Sequence, residues 1–503
     1  MRTKLFDRQE RQLIRAQISS IEELTRSDPE NVAELAQAKS QLEQIISDAI
    51  PTDLLRYAKR VLTQLEDRLP QYEHNANNFS FAIILPSPTD ITHMRGMPAG
   101  GQEDQAQRLE HMANKVTDVQ KQYNEHLILD TNQNQLETYW GDLFTAIKLS
   151  NEKTALELLE KIPGTDPILY AICLVHPTDY IKNIIKYCIQ ARNNPNNTLK
   201  LNSDIIFTPG TFEILVKDIA TTLYCTANIC LSFGLPTHHA FAAEGRGFCI
   251  LNKTAVLIHQ IDRTVYDQEQ KVFVLGTDIN RDNGLCDILM QGQQNTAVTH
   301  IDIFDSRVYP SEDANTIDKE YFERHHKRYG EQFGEEFGKG EQDGPLCLWK
   351  SHNYDYFTYD LSKLPLQGTE EFNPSLVYAL DMLQNHLQEA QESEQQIMII
   401  MPTGWDSHEH ETAPCGKSVS GRMMSPREAS KRRFTDNDLN CFYDRLFTLT
   451  KEFNHCISEI YWGLEGGYDQ TMYEQQIEVF LTKLNQYFRP SHQLDEAEHS
   501  PSP

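Results

Sequence analysis

Lys271-Val-Phe-Val-Leu275-Gly276-Thr-Asp278-Ile-Asn280-Arg-Asp282-Asn283-Gly284 is a short apolar run that breaks into acids, amides and glycine. Such a run, bounded by a turn, reads as a buried strand. Ile397–Met401 behaves the same way and leads into Pro-Thr-Gly-Trp-Asp406-Ser-His408. Ile457–Leu464 leads into Glu465-Gly-Gly-Tyr468-Asp, and Phe79–Leu85 is a fourth run of this kind. Helical patterns lie between them at Thr211–Cys230, Asn373–Glu392 and Asp436–Phe453. Buried runs alternating with amphipathic helices predict a parallel central sheet covered on both faces, a three-layer α/β fold. Ligands of such sheets sit beyond the carboxyl ends of the strands, so the residues after each run carry the chemistry.

Those residues form a chemically coherent set. Alternation along the chain predicts that Asp278 and Asn280 share a side. Asp406 and Tyr468 follow two other runs, and Thr-His238-His239-Ala precedes Gly245-Arg-Gly247-Phe248-Cys249. Carboxylates from separate strands can hold a divalent cation, and adjacent imidazoles suit proton transfer. A tyrosine hydroxyl beside glycines suits stabilisation of a developing oxyanion.

Composition narrows the class. The 503 residues carry 73 acids against 46 bases, a formal net charge of −27, which argues against general nucleic-acid binding. No apolar stretch is long enough for a transmembrane span. The N-terminus lacks the apolar core of a secretory signal. Ten scattered cysteines without a CxxC pair read as reduced thiols, so a cytoplasmic location is expected. A weaker compositional impression, from the many Asn and Gln residues and the acidic tail, is export into a host cell.

Residues 1–76 read as a helical N-terminal extension. Leu13, Ile14, Ile18, Ile21 and Leu24 form one stripe, Val32, Leu35, Leu42 and Ile46 a second, and Leu54, Ala58, Val61, Leu65 and Leu69 a third. A helical layer folded onto the main domain is expected, with a docking module for a protein partner through residues 1–70 as the alternative. Residues 77–490 form the main domain, interrupted by polar surface insertions at about 311–370 and 414–433. His325–His326 in the first insertion reads as a solvated pair, and 491–503 as a disordered tail.

In this order the motifs resemble the histone deacetylase family of the arginase/deacetylase superfamily. LPTHHAFAAEGRGFC, DINRDNG, VYP at 308–310, GWDSHEHE and LEGGYD carry the resemblance. The segments around Asp104–Leu109 and His176–Tyr180 support it. The resemblance implies a three-layer αβα arginase/deacetylase fold with a parallel central sheet. It also implies zinc-dependent removal of an acyl group from a lysine side chain of a protein, or from a small acylated amine. Carried over residue by residue, Asp278, Asn280 and Asp406 match the zinc ligands. His238 and His239 match the proton-handling pair, and Tyr468 the carbonyl-polarising hydroxyl. Gly247, Phe248 and Gly467 match substrate-contacting positions.

Departures from the family pattern set further expectations. Asn280 replaces a histidine ligand, which predicts weaker metal affinity and a shift toward harder ions. Gly276 replaces an aspartate that normally partners His238, so His238 is expected to be loosely held and less basic. Potassium, the second cation of many relatives, is left open, because Asp302 stands at its serine position. His408 and Asp282 are candidates to rescue the metal site, the latter through an arginase-like Asp278-x-Asn280-x-Asp282 spacing. The alternative to an enzyme is a deacetylase-like pseudoenzyme kept as a binding or regulatory module.

Overall fold

The computed structural model describes residues 8–26, positions 38, 41–42, 44–46, 54 and 57–62, and then residues 80–488. Within the last span 100–102, 124–127, 132–135, 165, 226, 262–269, 311–344, 365–371 and 414–432 are excepted. Most of both expected insertions, with His325–His326, therefore lies outside the described residues. So do Val32, Leu35, Leu65, Leu69 and the tail.

Among the described residues nine strands form one central sheet. In chain order they are β1 (Phe81–Leu85), β2 (Ile128–Asp130), β3 (Ile229–Ser232), β4 (Gln270–Gly276) and β5 (Ala297–Phe304). They continue as β6 (Leu346–Lys350), β7 (Tyr354–Asp360), β8 (Gln396–Thr403) and β9 (Ile457–Leu464). Their spatial order is β2-β1-β3-β9-β8-β4-β5-β7-β6, and every neighbouring pair is parallel except the β7–β6 pair at the edge. The fold is the expected three-layer αβα arrangement around a mostly parallel sheet. All eight residues of β9 are buried, as its near-continuous apolar run requires of a strand covered on both faces.

Because these strands are parallel, their carboxyl ends lie on one edge of the sheet. β4, β8 and β9 are adjacent there, and β3 lies on the far side of β9. The loops after these four strands carry Asp278, Asp406, Tyr468 and His238–His239.

The structure corrects three expectations. The helix read over Thr211–Cys230 ends at Tyr224, and Ile229–Ser232 is β3, because an apolar run this short carries no helix-or-strand signature of its own. Asp278 and Asn280 lie beyond the end of β4, so strand alternation does not set their directions. The segment 311–370 is not wholly an insertion. Leu346–Lys350 and Tyr354–Asp360 form a hairpin that extends the sheet, and β7 runs parallel to β5 from Val298↔Tyr354 to Phe304↔Asp360.

Where they are described, the N-terminal stripes converge on one another. Ile18, Ile21, Leu42, Leu54, Ala58 and Val61 share one small apolar cluster, while Leu13 is 64% exposed. Arg60 ties this cluster to the sheet by donating to the Ser458 carbonyl at 2.7 Å, at the start of β9. That contact lies at the amino end of the strand, opposite the edge that carries the histidines and acids.

A candidate metal and acyl-transfer site

Asp278 and Asp406 stand side by side, both almost fully buried. Asp278 accepts from the Asn280 and Gly466 backbone amides, each at 2.8 Å, and Asp406 accepts from that of Ile279 at 3.1 Å. Glycine makes this approach feasible. A Cβ on Gly466 would lie 2.2 Å from an Asp406 oxygen and 2.5 Å from an Asp278 oxygen, and one on Gly404 would lie 2.1 Å from Asp278. Both carboxyls are pushed above the usual range. For Asp278 the causes are burial and then the neighbouring Asp406 charge; for Asp406 the first cause is burial. Two buried acids held together in this way form a pocket that a cation would relieve.

Asn280 lies beside the pair. Its amide nitrogen donates to the Tyr309 carbonyl at 2.7 Å, so the amide oxygen is the atom it could offer to a cation. With the two carboxylates it would make an all-oxygen donor set, a chemistry that fits a divalent metal and suits harder ions better than the nitrogen-containing set of the family pattern.

The histidines face the acids from the loop after β3. Their rings lie 3.8 Å apart, centre to centre. His238 Nε2 is 4.0 Å from Asp278 Oδ2, and Nδ1 is 2.7 Å from Asp282 Oδ1. His239 Nδ1 is 2.6 Å from Asn283 Oδ1. Since both partners are oxygen acceptors, each Nδ1 donates. Burial disfavours charge on both rings, but around His238 the charge of Asp278 and the hydrogen bond to Asp282 overcome it, and its pKa is pushed up to about 10. His239 is held well below its ordinary value, by burial and then by the charge of His238.

The expectation that Gly276 leaves His238 loose and less basic is therefore wrong. Asp282 supplies the carboxylate, and a Cβ on Gly276 would fall 2.3 Å from its oxygen. Asp282, one candidate to rescue the metal site, turns its two oxygens to His238 and His300. His408, the other, does not turn toward the metal acids: its Nε2 lies 3.2 Å from Asp436.

Tyr468 comes from the turn after β9. Gly467 has φ +112, a conformation that an L side chain rarely adopts, and the turn is pinned from both sides. Buried Arg108 donates to the Gly467 carbonyl at 2.8 Å and to the Glu465 carbonyl at 2.7 Å, and its guanidinium lies 5.0 Å from the Tyr468 ring centre. The Glu411 carboxylate accepts from the Tyr468 backbone amide at 2.7 Å. Burial, then Asp406, pushes the tyrosine hydroxyl far up, so it stays protonated at neutral pH.

Gly247 and Phe248 occupy a tight turn with φ +51 and +68. A Cβ on Gly247 would meet the His239 ring at 2.4 Å and Tyr309 at 3.0 Å, so glycine here leaves room for both rings. Tyr309 packs edge-on against His239, with ring centres 5.0 Å apart. The Cys249 thiol donates to the Gly247 carbonyl, and burial raises its pKa well above the ordinary value. Of the basic stretch 417–433 only Arg433 is described, and it donates to the Asp406 and His408 carbonyls at 3.0 and 2.9 Å.

All nine predicted site residues thus belong to connections at one edge, Asp406 within the short 3-10 turn Trp405–Ser407. Sequence reasoning missed Glu465, whose carboxylate accepts from the Thr237 amide, the Thr237 hydroxyl and the His238 amide, and so locks the histidine loop to the end of β9. An acid directly after a buried strand and beside two glycines was the available signal. His300 was also missed, and nothing local marks it out.

Fold and site together define a three-layer α/β protein with paired acids and paired histidines at the carboxyl edge of its sheet. A family model, Histone deacetylase domain, matches residues 145–484, and the chain belongs to that family. Among solved structures the crystal structure of the HDA15 HD domain is similar, at 13% identity and a TM-score of 0.45. The match covers 82% of this chain and 91% of that one. No curated protein matches the sequence.

Proposed function

We propose that this chain is a metal-dependent deacylase that hydrolyses the amide of an acylated lysine or a small acylated amine. The observation that carries the reading is the meeting of the Asp278–Asp406 pair, the His238–His239 pair and Tyr468 across the ends of β3, β4, β8 and β9. Asp278, Asp406 and the Asn280 amide oxygen would hold the metal, zinc or a harder divalent ion. Bound there, the metal would supply a Lewis acid and activate a water molecule.

The protein's own groups divide the remaining work. His239 is neutral, with its proton on Nδ1 toward Asn283, so Nε2 is an acceptor suited to take a proton from water. His238, its pKa pushed up by Asp278 and Asp282, faces Asp278, a placement suited to stabilising negative charge and to protonating the leaving amine. The Tyr468 hydroxyl donates to the acyl oxygen as charge develops there. Phe248 and Tyr309 would flank the route by which the acyl chain enters, with Gly247 and Gly467 leaving backbone room.

A second reading, a pseudoenzyme kept as a binding module, draws on Asn280 standing where the family pattern has a histidine ligand. Two measurements decide between them. Elemental analysis with zinc and manganese offered should find about one metal per chain, and Asn280→His should raise zinc affinity. Hydrolysis of acetyl-lysine peptides and acetylated diamines should then be detectable and fall roughly 100-fold or more in Tyr468→Phe. Metal bound only by the Asn280→His variant would favour the binding module. Activity that survives Tyr468→Phe would sink the assigned mechanism.

A further inference from the structure

Asp282 is the N-cap residue of the helix Asn283–Met290, a position where aspartate commonly caps the helix, yet its side chain makes no capping bond. The carboxylate turns inward and is fully buried. One oxygen meets His238 Nδ1 at 2.7 Å and the other meets His300 Nε2 at 3.0 Å. His300, on β5, is also fully buried, and its Nδ1 lies 3.0 Å from the Tyr354 hydroxyl. A continuous side-chain line therefore runs from β7 through His300 and Asp282 to the first site histidine.

Room for this line exists because Gly276 ends β4 without a side chain. A Cβ there would lie 2.3 Å from Asp282 Oδ2, 3.0 Å from its carboxyl carbon and 3.3 Å from Asp302 Oδ1. A side chain at 276 and a carboxylate from 282 compete for the same volume.

We propose that positions 276 and 282 are an exchange pair, in which one carboxylate orients His238 and is supplied from 282 because 276 is glycine, and that His300 is a positioning residue acting on His238 through Asp282. The catalytic meaning rests on the deacylase reading; the structural claim does not. The line holds the Nδ1–H of His238 and leaves Nε2 directed at Asp278. His300 holds the second carboxylate oxygen, so Asp282 cannot swing out to cap its own helix.

The test uses the full-length protein in four forms: unmodified, Gly276→Asp, Asp282→Gly and the double variant. Asp282→Asn is added as a same-size alternative in case Asp282→Gly does not fold. Proton NMR should show a far-downfield imidazole N–H signal from His238 in the unmodified protein. It should be lost in Asp282→Gly, shifted upfield in Asp282→Asn and restored in the double variant. Each single variant should lower the melting temperature, and the double should recover most of the loss, because the two sites are coupled by direct contact. His300→Gln should keep the fold while broadening or shifting the His238 signal. Where deacylation is measurable, His300→Gln should lower kcat by about 10-fold with KM unchanged. A double variant no better than the worse single one would overturn the exchange, and an unmoved His238 signal in His300→Gln would overturn the role of His300. If no deacylation is found in any form, the NMR and melting results still decide this proposal, and only the functional reading fails.

Discussion

The two walls of the site are built differently. Around the acids, the groups that hold Asp278 and Asp406 are backbone amides of residues 279, 280 and 466, and the space they need is made by missing side chains at Gly404 and Gly466. Around the histidines, ring nitrogens are held by side chains, Asp282 and Asn283, and the loop itself by Glu465. A wall held by backbone tolerates many substitutions but no added atom at its glycines. A wall held by side chains can change partner, as the carboxylate at 282 in place of one at 276 illustrates.

Gly466→Ala attacks the first wall and should have the largest effect. The new methyl would stand 2.2 Å from an Asp406 oxygen and must push the carboxylate pair apart. Metal affinity should fall by about 100-fold, read by calorimetry or chelator competition, and the melting temperature should drop as overpacking at a buried site costs about 1–3 kcal/mol. Unaltered affinity would mean that the acid pair is not the metal site.

Arg108→Met tests the link between the walls. The guanidinium donates to two buried carbonyls in the turn that carries both Glu465 and Tyr468. Its removal leaves those carbonyls unpaired, and a loss of about 3 kcal/mol is expected in denaturant unfolding. Any deacylase activity should fall with it. A loss well below 1 kcal/mol would show that the turn keeps its shape without Arg108.

The smallest effect concerns a histidine away from both walls. His176 is fully buried, donating from Nδ1 to the Ala242 carbonyl and accepting the Asn252 amide at Nε2, and burial lowers its pKa to about 4. The unfolded chain, with an ordinary histidine near 6.5, binds the extra proton first. Stability therefore declines as pH falls from about 6.5 to about 4, by roughly 3 kcal/mol at most from this group. His176→Gln, which can still donate and accept, should flatten that part of the stability curve. An unchanged slope would place the acid sensitivity elsewhere.

Much of the site was legible because its residues follow apolar runs in a fixed order. Asp278, Asp406 and Tyr468 each come directly after a strand that the hydrophobic pattern reveals, and in a parallel sheet such positions must meet at one edge. β3 was not legible as a strand: Ile229–Ser232 is four residues long and follows a helix without a clear stop signal. β6 and β7 were hidden in a polar region, where alternation over seven residues competes with many loop-like neighbours.

By itself, then, the sequence determined the αβα architecture, the edge on which the chemistry lies and the identity of the residues gathered there. These depend on local hydrophobic period and chain order. Only the tertiary structure decided who holds whom. Asp282 stands six residues after Gly276 in the chain, yet its carboxylate fills the space a side chain at 276 would take, and it reaches His300 from another strand. Spacing along one segment cannot report that, because a hydrogen bond between elements depends on where strands and helix ends come to rest in space.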